Sequence, residues 1–126
     1  DFAPTLLDYA GVEIPADMQG QSLRPLSRGD SVIDWRNSMY YHYYEFPSVH
    51  MVKRHYGIIS KEYKLVHYYY DIDEWEFLDR KADPNEMTNL YDDPKYQSII
   101  QTMKKKLKKL RKKYKDSDEL SQKYLY

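Results

Sequence analysis

Cysteine is absent from the chain. That excludes a disulfide framework and any thiolate metal site, and it says little about compartment. Glycine is scarce, with 4 in 126 residues, and no glycine loop that could cradle a phosphate occurs. No apolar run approaches the length of a transmembrane helix, and no charged-then-apolar leader opens the sequence. The first residue already falls inside a predicted helix, so a leader further upstream is compatible with it. Phenylalanine is also rare, 3 residues against 15 tyrosines. The 41% hydrophobic content therefore rests on side chains whose hydroxyls need partners or water.

The length bounds the chain to one domain with a modest core. Net charge is zero, but the zero conceals a split. Residues 1–103 carry ten basic and seventeen acidic side chains, a net of −7, and residues 104–126 carry ten basic and three acidic, a net of +7. Such an asymmetry raises the question of an anionic partner.

"DFAPTLLDYAG" predicts a short helix, with Asp1 or Thr5 able to cap, Pro4 in the first turn and Gly11 as a stop. Phe2, Leu6, Tyr9 and Ala10 fall on one stripe of it. Pro15, Gly20, Pro25 and Gly29 break the next segment into loop with one helical turn. "SMYYHYY", "YGIIS", "YKLVHYYY" and "EWEFLDR" read as four strands, with Lys61 and Glu62 as a tight connection between the second and third. From Lys95 to about Lys115 the spacing predicts a helix. Tyr96, Ile99, Ile100, Met103, Leu107, Leu110 and Tyr114 recur at steps of three and four. The expected architecture is α+β: a four-stranded antiparallel sheet packed by the long C-terminal helix, preceded by the short N-terminal helix.

The lysine-rich face of that helix has two readings. One is an anion-binding surface; the other, which the amphipathic pattern favours, is a solvated face opposite a docked one. The four histidines, His42, His50, His55 and His67, lack metal-ligand spacing. Alternation makes His42 share a face with Tyr40 and Tyr44, and His67 with Tyr63, Leu65 and Tyr69, as sheet residues. The acidic pairs at Asp71–Asp73 and Asp92–Asp93 read as turn formers. No metal ligand set and no catalytic residue is predicted within this chain.

The opening segment resembles the part by which type I, formylglycine-dependent sulfatases leave their large α/β domain. The family pattern matches at Asp1, Pro4, Thr5, Leu6, Leu7, Ala10, Gly11, Gln19, Gly20, Ser22, Leu23, Pro25 and Leu26. "WRNSMYYHYYEFP", "HYGIISKEYKLVHYY" and "EWEFLDRKADPNEMTNLYDDP" resemble the family's C-terminal subdomain in order and spacing. The tyrosine-rich stretch looks most like bacterial glycan sulfatases of the N-acetylglucosamine-6-sulfatase type. One departure is Ser60, where relatives often carry Arg or a similar polar residue.

The resemblance implies a division at residues 1–30, the tail of the α/β domain and its connecting loop, and 31–126, the C-terminal subdomain. It implies a sulfuric ester hydrolase whose catalytic centre lies elsewhere. No Cys/Ser-x-Pro-x-Arg motif is present, so the formylglycine and the calcium belong to a missing N-terminal domain, and this piece alone is expected to be inactive. The implied partners are that domain and a sulfated glycan, with no nucleic acid and no membrane; the implied location is periplasmic or secreted. Loops of this subdomain face the active-site mouth in the family. By resemblance, the loop after Pro47 is the candidate for substrate contact, through His50, Arg54 and His55. The competing reading is an independent polyanion-binding module built on the lysine-rich helix.

Overall fold

The computed structural model describes residues 1–31, 35–123 and 125. The chain divides into two compact units, residues 1–36 and 37–126.

The first unit holds α1 (Phe2–Tyr9) and α2 (Arg24–Ser27). Pro4 sits in the first turn of α1, and Gly11 at φ +69° follows its end, where only glycine enters the left-handed region without cost. The matched motif residues tie this unit to itself. The Asp1 carboxylate accepts from Gln21 N–H at 2.9 Å and from Arg36 at 3.1 Å, so it does not cap α1. Thr5 Oγ1 donates to the Asp1 carbonyl at 2.6 Å and accepts from Leu23 N–H at 2.9 Å. Asp8 accepts from Ser22 Oγ at 2.6 Å and Arg24 at 2.8 Å. A Cβ on Gly20 would stand 2.8 Å from the Asp1 backbone nitrogen, so glycine is required there. The predicted apolar stripe of α1 is exposed: Phe2 is 82% and Leu6 69% accessible.

The second unit is an antiparallel meander of β1 (Ser38–Tyr43), β2 (His55–Ser60), β3 (Tyr63–Tyr68) and β4 (Glu74–Asp79), in that spatial order. Two residues join β2 to β3. Ser60 explains how so poor a turn sequence closes: its hydroxyl donates to Tyr63 O and accepts from Tyr63 N–H, both at 3.0 Å. The outer edge of β4 is covered by the following loop. Asn89 accepts from Phe77 N–H and donates to Trp75 O, and Leu90 N–H donates to Phe77 O at 2.8 Å, which removes an open strand edge.

A 3-10 turn, Pro94–Tyr96, capped by the Asp93 side chain, leads into α3 (Gln97–Lys113). Register aligns Ile58 with Leu65 and Leu65 with Phe77, and these three side chains are fully buried against Tyr96, Ile100, Met103 and Leu107. The three-and-four spacing of α3 thus lands on the face that alternation buries in the sheet. A short α4 (Asp118–Gln122), not expected from the sequence, follows; Ser117 caps it by accepting from Leu120 N–H at 3.1 Å.

Candidate functional site

The loop of residues 44–54 joins β1 to β2 across one end of the sheet. It contains a cis Phe46–Pro47 peptide and a residue in the left-handed region, Met51 at φ +50°. A cleft of about 590 Å³ lies beneath it, lined by Tyr44, Glu45, Phe46, Pro47, Arg54 and Leu120.

Arg54 holds this loop from inside and is 3% exposed. Its Nε donates to Tyr44 O at 3.0 Å, its Nη2 to Phe46 O, and its Nη1 to both oxygens of Asp71 at 3.0 and 3.1 Å. Two loop carbonyls and one carboxylate therefore share a single planar fork, a geometry that Lys cannot reproduce. Lys53 lies over the Phe46 ring at 3.8 Å.

The three residues singled out by resemblance do not converge. His50 is exposed on the outer turn of the loop, next to Val49 and Met51, which are also exposed. Arg54 faces inward, and each of its three nitrogens donates to the protein. His55 opens β2 on the sheet face opposite the core, with its ring among Tyr41, Tyr43 and Tyr68 at 5.7, 5.5 and 5.2 Å. Its Nδ1–H donates to Lys53 O at 2.8 Å, which leaves Nε2 as the open ring nitrogen.

On the core side, His42 lies beside Tyr40 and Tyr44, as alternation predicts, and its partner is a residue that no local pattern indicates. Asp116, 74 positions away, accepts from His42 Nδ1 at 3.1 Å, from Arg111 Nε at 3.0 Å and from the Tyr40 hydroxyl. A carboxylate only accepts, so the proton sits on Nδ1 and Nε2 accepts from Tyr69 Oη at 2.6 Å. Burial lowers the His42 pKa, and the opposing pull of Asp116 does not restore it. Burial alone would raise the pKa of Asp116, but hydrogen bonds from Tyr40 and Arg111 outweigh it and the pKa is lowered. The pair is thus a neutral imidazole beside a carboxylate, enclosed between β1 and the end of α3. It is a tie between elements with no access for a substrate.

His67 is likewise satisfied. It bonds Tyr56 Oη at 2.8 Å and Asp73 Oδ1 at 2.7 Å, and its ring stacks on Trp75 at 4.2 Å. Of the acidic residues read as turn formers, Asp93 does that work, whereas Asp71 and Asp73 are the partners of Arg54 and His67. No spacing rule points to pairs of this kind. Among the described residues, no three His, Asp or Glu side chains come together in a way that could hold a metal ion.

Residues 1–113 match the family described as N-sulphoglucosamine sulphohydrolase, C-terminal. The chain is 52% identical over 120 residues to an N-acetylglucosamine-6-O-sulfatase of Bacteroides thetaiotaomicron, covering 94% of this chain and 22% of that protein. It is 37% identical over 108 residues to a Delta 4,5-hexuronate-2-O-sulfatase of the same organism, covering 79% and 20%. The solved structure of BT4656 in complex with its substrate D-glucosamine-2-N,6-O-disulfate superposes with a TM-score of 0.87 at 52% identity, over 94% of this chain and 24% of that one. The chain therefore spans about a fifth of the length of the curated relatives it matches. The meander, its covering helix and the interlocked motif of residues 1–26 all agree with that match, and the chain belongs to the C-terminal domain family of the sulfatases.

Proposed function

We propose that this chain is the C-terminal part of a glycan sulfatase that removes the 6-O-sulfate of an N-acetylglucosamine-type sugar, in the periplasm or outside the cell. The observation that carries the proposal is the 52% identity to a protein of that activity over nearly the whole chain. The exposed stripe of α1 adds to it. Phe2, Leu6 and Tyr9 are the residues an amphipathic helix buries, so α1 suits the edge of a preceding α/β domain, with the tail of that domain running through residues 1–30. That domain is the first partner; the sulfated glycan is the second. Calcium and formylglycine supply the sulfate-ester chemistry there. Among the described residues no carboxylates converge on a metal, so the calcium would be held by the preceding domain.

In this reading the 44–54 loop reaches toward the sugar. His50, exposed on its outer turn, is the contact residue; Arg54 sets the shape of the loop; His55 offers Nε2 from the other sheet face. The test uses the enzyme from the complete reading frame. It should release sulfate from N-acetylglucosamine-6-sulfate and leave an unsaturated hexuronate-2-sulfate untouched. His50→Ala should lower kcat/KM on the glycan by roughly ten- to a hundredfold, the loss expected for about 1.5–3 kcal/mol of hydrogen bonding to a charged group, with little change on a small aryl sulfate. Equal losses on both substrates would remove His50 from sugar recognition. The 126-residue chain alone should show only background turnover.

A further inference from the structure

Helix α3 contains eight basic residues and no acidic one. Four of the eight are engaged with the protein, Lys113 among them, over the Tyr114 ring at 5.4 Å. Lys104 lies over Trp75 at 4.1 Å, Lys106 donates to Asn37, and Arg111 is held by Asp116 and Asp118. Lys105, Lys108, Lys109 and Lys112 are different. All four are exposed, and among the described residues no carboxylate pairs with any of them. At 100° per residue they fall within one arc of about 100°, opposite the buried Ile100, Met103 and Leu107, and they rise along about 10 Å of helix.

This stripe is not explained by helix stability. Lys105 with Lys109, and Lys108 with Lys112, are like charges at i, i+4 and repel. The helix dipole favours cations only in the last turn; that accounts for Lys112 and Lys113 but not for Lys105 or Lys108. A merely solvated face would ordinarily intersperse both signs. The unneutralised stripe is a concentrated field that a polyanion would neutralise.

The surroundings of α3 select among polyanions. A basic helix that lies in a membrane surface needs its apolar face free for lipid, and here that face is consumed by the sheet. Single-stranded nucleic acids are held by cations together with aromatic platforms, and the stripe carries no aromatic residue; duplex DNA is left as an outcome of the test below. What remains is a row of bare ammonium groups suited to a chain that displays anionic groups at intervals. We propose that the Lys105, Lys108, Lys109 and Lys112 stripe is a binding site for a sulfated polysaccharide, holding sulfates of the polymer other than the one being cleaved. The binding part stands without the proposed activity; the kinetic part rests on it.

The test compares the full-length protein with a variant carrying Lys105→Gln, Lys108→Gln, Lys109→Gln and Lys112→Gln. Glutamine keeps helix propensity, so the unfolding temperature should be unchanged or higher. Heparin is the probe. The parent should bind it with a steep dependence on salt, and the variant about tenfold or more weakly with a shallower one. A control with Lys61→Gln and Lys81→Gln, both exposed and off the helix, should bind like the parent. On a sulfated oligosaccharide the four-site variant should show a raised KM at unchanged kcat, and on a sulfated monosaccharide no change. Equal heparin binding by parent and variant overturns the proposal, as does a parent that binds phosphatidylserine vesicles or DNA but not heparin. Loss of heparin binding in a protein that hydrolyses no sulfate ester would uphold this site and sink the proposed activity. Retained binding in an active enzyme would do the reverse.

Discussion

Arg54 and Asp71 form an enclosed pair in which one guanidinium nitrogen donates to both carboxylate oxygens, at 3.0 and 3.1 Å. The side chains are 4% and 12% exposed, so little water can replace either partner. Removing one leaves the other charge buried. Arg54→Ala is expected to cost about 3–5 kcal/mol, and to lower the unfolding temperature by more than about 10 °C. Arg54→Lys keeps the charge but not the fork, and should fall between. His50→Ala should leave the temperature where it is. An Arg54→Ala protein as stable as the parent would mean that the loop does not hang on this pair.

The two faces of α3 should respond in opposite ways to added negative charge. Leu107 is 2% exposed within the core, so Leu107→Asp loses its packing, roughly 2–5 kcal/mol, and buries an unpaired carboxylate besides. Lys108→Glu lies on the exposed face and breaks a like-charge pair, so it should be neutral or slightly stabilising. Thermal unfolding of both variants decides; equal shifts would be inconsistent with a helix docked on one face.

His42 gives the fold an acid-sensitive element. Its folded-state pKa lies below the ordinary histidine value, so the unfolded chain takes up the proton first as pH falls. Stability from this group is fully present above about pH 6.5 and declines as pH drops from there toward the lowered folded value. Asp116, also shifted down, adds a second loss that begins only near the ordinary carboxylate range. In urea melts, His42→Asn should flatten the decline that begins below about pH 6.5 while lowering stability at neutral pH. An unaltered slope would mean that His42 protonates equally in both states.

Gly57 is set where strand β2 passes under Tyr41. A Cβ there would stand 2.7 Å from Leu65 O and 2.8 Å from the Tyr41 hydroxyl. The first contact is with backbone and cannot rotate away. Gly57→Ala should therefore cost about 1–3 kcal/mol by overpacking. Tyr41→Ala, Gly57→Ala together should recover only the part due to the ring. Full recovery in that double variant would show that Leu65 O is no obstacle.

Repeating patterns were what the sequence expressed well. The spacing of Ile100, Met103 and Leu107 identified α3 and the face it buries, because a helix repeats every 3.6 residues whatever lies beyond it. Alternation placed His42 with Tyr40 and Tyr44, whereas β1 ends at Tyr43, four residues before Pro47. The first compact unit extends to residue 36, where Arg36 reaches back to Asp1, a contact between residues with no local signature. Short α4 leaves no pattern in the sequence, since its five residues carry no period, only the Ser117 cap.

By itself, then, the sequence determined the four strands, the docked helix and the one-sided cluster of lysines, all of which follow from local propensity and periodic burial. Tertiary structure alone decided what the charged side chains do. Arg54 is enclosed by Asp71 and two loop carbonyls, and the sheet residue His42 is half of a buried pair with Asp116. The physical reason is that desolvation and pairing depend on which distant residue the fold brings within 3 Å or so, and no spacing along the chain encodes that distance.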